Sequence, residues 1–96
     1  MTDLAFHIGQ FFPEAQGEEL EHRQALLVAR DYAAMLRSRV RSEWAITLAA
    51  EAQEVASTYA FAEASLDQLK NVTAYCRNLV QAAMLAEWFE RDGFCQ

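Results

Sequence analysis

Between Gly17 and Gly93 the chain contains no proline and no glycine, and the whole sequence has only one Pro and three Gly in 96 residues. Those are the residues that most often interrupt regular structure, so the interior reads as helix, with its breaks set by caps and charge. Three scattered glycines make no phosphate-cradling loop, and no serine stands in a nucleophile elbow. Cys76 and Cys95 are too few for a disulfide framework and lack metal-ligand spacing, so both are expected reduced. No basic start followed by an apolar core marks a signal peptide. The richest apolar run, Leu79 to Phe89, is broken by Gln81 and Glu87 well short of a bilayer span. Basic residues are scarce as well: 8 Lys and Arg stand against 14 Asp and Glu, giving a formal charge of −6. That charge opposes attraction to phosphate backbones and anionic lipid. The expectation is a cytoplasmic protein that binds neither nucleic acid nor membrane.

What is present is alanine and apolar periodicity. Eighteen alanines and 53% apolar residues make an all-α fold the reading, within one domain of ordinary small size. The clearest segment runs from Ser65 to Phe94. Ser65 and Gln68 form a capping box that starts a helix at Leu66. Leu69, Val72, Cys76, Leu79, Ala83 and Ala86 then make an a/d seam, and Gly93 with Phe94 folding back on Phe89 makes a Schellman stop. From Leu79 onward the helix is apolar nearly all round, which one neighbour does not cover.

Two helices precede it. The first opens on Glu18, Glu19 and Glu21 and closes on Arg37, Arg39 and Arg41, each sign at the pole of the helix dipole that favours it. Its seam is Leu26, Ala29, Ala33, Leu36 and Val40, widened by Val28, Tyr32 and Met35. Ser42 is the expected N-cap of the second, Glu43 to about Ala62. That helix carries one stripe of Trp44, Leu48, Val55 and Tyr59 and an adjacent stripe of Ala45, Ala49, Ala52, Ala56 and Ala60. Two stripes predict two neighbours, with alanine permitting close backbone approach. Ahead of all three, residues 1–17 read as a short helical arm and linker. Leu4, Ile8 and Phe11 share a face, and Pro13 stops the helix at Phe12. The reading is thus an arm at 1–17 and a bundle domain at 18–96.

Few residues suggest chemistry. Glu19 and His22 make one Glu-x-x-His, as di-iron bundles use, but no second such motif follows and the acids already serve as a helix start. Cys76, mid-seam, is a small buried apolar group without an activating base. Arg37, Arg39 and Arg41 are the one basic cluster, read first as a solvated helix end and second as a grip on a partner. No catalytic, cofactor or metal site is expected.

The fold expected is therefore a bundle of three long helices with an N-terminal helical arm, completed by homodimerisation. Leu66 to Leu79 belong to the intramolecular core. Val80, Met84, Leu85, Trp88, Phe89 and Phe94 form the expected protein interface, with Phe11, Phe12, Arg37, Arg39 and Arg41 as secondary contacts. The function expected is non-enzymatic: a regulator of anti-activator or small-chaperone type that binds a larger protein, such as a transcription regulator, toxin or secretion component. A structural subunit of a helical assembly is the alternative, and a metal or redox bundle a more distant one.

Overall fold

The structure, a computed structural model, describes residues 17–91, with side chains through residue 90. It is all-α: helix α1 spans Glu18–Arg39, α2 Glu43–Phe61 and α3 Leu66–Arg91, with no strand among the described residues. The expected arm with Phe11 and Phe12, and the stop at Gly93 and Phe94, lie outside the described residues.

Each helix boundary has a local chemical cause. Gly17 precedes α1 at φ +62°, a left-handed conformation that a Cβ would strain. Acids fill the first turn of α1, and Arg37 and Arg39 lie in its last. The break before α2 is fixed by Ser42, whose hydroxyl accepts the Ala45 N–H at 3.2 Å. The capping box before α3 is reciprocal: Ser65 N–H donates to Gln68 Oε1 at 2.9 Å, and Gln68 N–H donates to Ser65 Oγ at 3.1 Å. The connections are short and reverse the chain twice. Accordingly α1 and α3 run parallel, with His22 level with Thr73 and Tyr32 level with Met84.

Helix α2 lies between the other two. Its alanine stripe, Ala45, Ala49, Ala52, Ala56 and Ala60, is fully buried. Against it pack Leu26, Leu27 and Ala33 of α1 and Leu69, Cys76, Val80, Ala83 and Ala86 of α3. Methyl-sized side chains let helix axes approach to about 8 Å, the short end of the usual range. Since α1 and α3 each pack chiefly on α2 and less on one another, the molecule is elongated and flat, 53 × 26 × 16 Å.

Both ends of α2 are held by side chains from its neighbours. At its C-terminus the buried Arg23 of α1 donates from Nη1 to the carbonyl oxygens of Tyr59, Ala60 and Ala62 at 3.3, 3.1 and 2.8 Å. Its Nε donates to Glu19 Oε2 at 3.1 Å. At the N-terminus the buried Glu87 of α3 accepts the backbone N–H groups of Arg41 and Ser42 on Oε1, both at 2.9 Å. A cation thus meets the negative pole of α2 and an anion its positive pole, and each satisfies backbone groups that a helix end leaves open. Replacing Arg23 by Met, which keeps the apolar stem and removes the donors, is expected to lower stability by about 2–3 kcal/mol. The measurement is the urea midpoint, and an unchanged midpoint would show that the carbonyls at the end of α2 do not need Arg23.

Candidate protein-interaction surface

With alanine filling the inward face of α2, several bulky apolar side chains lie on the outside. Trp44 is 59% exposed, Leu85 56%, Trp88 48% and Met84 47%. The backbone N–H groups just before α2 bond to Glu87, so the start of α2 and the last turns of α3 share one end of the bundle. Trp44, Met84, Leu85 and Trp88 therefore lie toward the same end, as does Met35 near the end of α1. The Trp88 and Phe89 rings stand 5.2 Å apart at 57°, a tilted pair that stiffens this part of α3. Single exposed apolar residues are ordinary on a protein surface, and several large ones at one end make that end a candidate interaction surface.

The interface expected from sequence is only partly at the surface. Met84, Leu85 and Trp88 are exposed and Phe89 is half-buried, whereas Val80 packs with Ala33 and Ala52 in the core. Phe94 lies outside the described residues. The strongest member that the sequence reading missed is Trp44, assigned there to a buried stripe. Helix α2 turns its alanines inward; of the stripe one residue away, Leu48, Val55 and Tyr59 are half-buried against the core and only Trp44, at the helix start, is exposed. Val28, Tyr32 and Met35 likewise sit outside the buried seam of α1 rather than widening it, while Leu27 is buried in their place.

Charge divides along the long axis. The end that holds the start of α1 carries Glu18, Glu19, Glu21, Glu63 and Asp67, with Lys70 bridging to Glu18 at 3.4 Å. At the other end lie Arg37, Arg39 and Arg41, beside the exposed apolar side chains. Arg37 donates to Gln53 Oε1 at 2.8 Å, which ties it to α2. The apolar end thus carries Arg37, Arg39 and Arg41 together with the exposed Glu43 and Glu90, so its rim is of mixed charge.

The residues with chemical promise have structural partners. Glu19 pairs with Arg23, and His22 Nδ1 lies 3.3 Å from Thr73 Oγ1. Among the described residues no three His, Cys, Asp or Glu side chains are grouped to hold a metal ion. Tyr75 donates its hydroxyl to Glu51 across the α2–α3 groove, and that hydrogen bond to a carboxylate raises the phenol pKa above its ordinary value. Cys76 is buried beneath α2, its Sγ 3.9 Å from the Ala52 carbonyl oxygen, and burial pushes the thiol up to about 11. No helix of the described residues is long and apolar enough to cross a membrane.

The chain matches no protein-family model, no curated protein and no solved structure. The surface must therefore be read on its own chemistry.

The Cys76 geometry has a measurable consequence. In a Cys95→Ser variant at pH 8, the remaining thiol should react with Ellman's reagent no faster than the protein unfolds, since the folded state keeps Cys76 protonated and covered. Because the folded pKa lies above the unfolded one, the thiol's contribution to stability should be fully present below about pH 9 and be lost between about pH 9 and 11, as the unfolded chain ionises first. Fast reaction of the native thiol at pH 8 would contradict this burial.

Proposed function

We propose that the protein is a non-enzymatic regulator that binds a larger protein through its apolar end and alters that protein's assembly or activity, in the manner of an anti-activator or small chaperone. The observation that carries this reading is the placement of Trp44, Met84, Leu85 and Trp88 at one end of a bundle whose centre is filled by alanine. A domain under selection for its own stability alone would gain by turning those side chains inward, at about 25 cal/mol per Å² of apolar surface removed from water. Aromatic and methionine anchors with arginine nearby match the composition of protein-interface centres. A target of complementary chemistry offers an apolar cleft with charged residues of both signs at its rim. The acidic far end of the bundle keeps the free protein soluble and disfavours acidic surfaces that approach there. The same exposed end also suits the second reading, a structural subunit of a helical assembly, in which the covering surface is a permanent neighbour rather than a regulated target.

The test is affinity capture from the native cell with wild type and a Met84→Ala/Trp88→Ala double variant side by side, identified by mass spectrometry. Both side chains are about half exposed, so the variant should keep its helical far-UV signal and lose the captured partner. Collapse of the helical signal would make the two residues core and remove the basis of the reading. A partner captured equally by both proteins would move the interface elsewhere.

A further inference from the structure

The outer face of α1 carries a pattern that begins far from the apolar end and runs into it. Glu21, Ala25, Val28, Tyr32, Met35 and Arg39 recur at alternating spacings of four and three residues, and all six are exposed. This is the a/d seam of a two-stranded coil, lying to one side of the buried seam that runs through Leu26 and Ala33. Its centre is apolar, with Val28 54% exposed, and its ends are of opposite charge. Among the described residues neither Glu21 nor Arg39 forms an ion pair.

We propose that the occupant of this seam is a second copy of the chain, docked antiparallel along α1 about a two-fold axis at the level of Arg30. That arrangement sets Glu21 against the partner's Arg39, Ala25 against the partner's Met35 and Val28 against the partner's Tyr32. Every a position then faces a d position, as antiparallel coils require. Both apolar layers set a smaller side chain against a larger one, which fills space without forcing two bulky groups together. Parallel pairing in register would instead oppose glutamate to glutamate and arginine to arginine, so charge selects the antiparallel form. The two helix dipoles also run head to tail in this arrangement. Beside the seam, a shallow groove of about 370 Å³ between α1 and α3, floored by Ala29 and Val80 and edged by Met84, gives the partner's larger side chains room. The dimer leaves Trp44, Leu85 and Trp88 to a separate target but shares Met35, Met84 and Arg39 with the apolar end, so the test reads oligomeric state rather than capture of a target.

Charge reversal at the two ends of the seam tests it, with sedimentation equilibrium of the full chain at low salt. Wild type should be a dimer at tens of micromolar. Glu21→Arg and Arg39→Glu, each alone, turn two symmetry-related attractions into repulsions and should raise the dimer dissociation constant about tenfold or more. An equimolar mixture of the two single variants should recover a dimer, and so should the double variant. Each substitution also opposes the dipole of α1, so recovery in the double variant has no explanation in helix stability alone. A monomeric wild type would overturn the proposal, whether the seam is bare or is covered in cis by residues 1–16. Single variants as dimeric as wild type would overturn it equally.

Discussion

The arrangement depends on how the two ends of α2 are held. An interface made of alanine methyl groups brings helices close, but it offers few side chains of distinctive shape to fix how far one helix slides along another. Arg23 and Glu87 supply what the alanines do not. Each reaches from a flanking helix to backbone groups at one end of α2, so a slide by one turn would strand a buried charge and open helix-end groups at both ends together. The signs match the dipole, so the two contacts act in the same sense. The buried polar groups therefore set register, while the apolar surface supplies the general drive to associate.

The outward placement of the bulky residues follows from that choice. A helix that buries a narrow alanine stripe between two neighbours must carry its larger side chains on the flanks, and Trp44 is the plainest case. The third helix behaves similarly. Its seam buries Leu69, Cys76, Ala83 and Ala86, while Met84, Leu85 and Trp88 face away. A flat bundle with a thin core and apolar flanks is poorly described as a self-sufficient unit. We propose docking for two of its surfaces: a target at the apolar end and a second copy along the α1 seam.

Much of the fold was legible in the residues. The capping box at Ser65 and Gln68, the cap at Ser42 and the opposite charges at the two ends of α1 placed both ends of α1 and the starts of α2 and α3 to within about two residues, because each is a local backbone requirement met by nearby side chains. The seams of α1 and α3 were legible for the same reason, since periodicity is a property of one helix at a time. What stayed hidden were relations between helices. Arg23 looked like one charge among many, and Glu87 like an interruption of an apolar run. Neither pattern indicates that a carbonyl cluster or a pair of N–H groups waits 36 to 46 residues away in sequence. The choice between the two stripes of α2 was likewise undetermined, because Trp and Leu are the stronger candidates for burial by hydrophobicity while Ala is favoured only where two backbones come close. Of the residues expected at an interface, Met84, Leu85 and Trp88 are exposed and Val80 is buried in the core, while the exposure of Trp44 was hidden for want of the tertiary register.

The central claim is that α2 is anchored at both ends by its neighbours, and native-state hydrogen exchange tests it most directly. Amides from Ala49 to Phe61 should exchange only through global unfolding, with the last turn of α2 as slow as its middle because Arg23 holds the carbonyl end closed. A last turn that exchanges far faster than the middle of α2, as a freely fraying helix end does, would contradict the account.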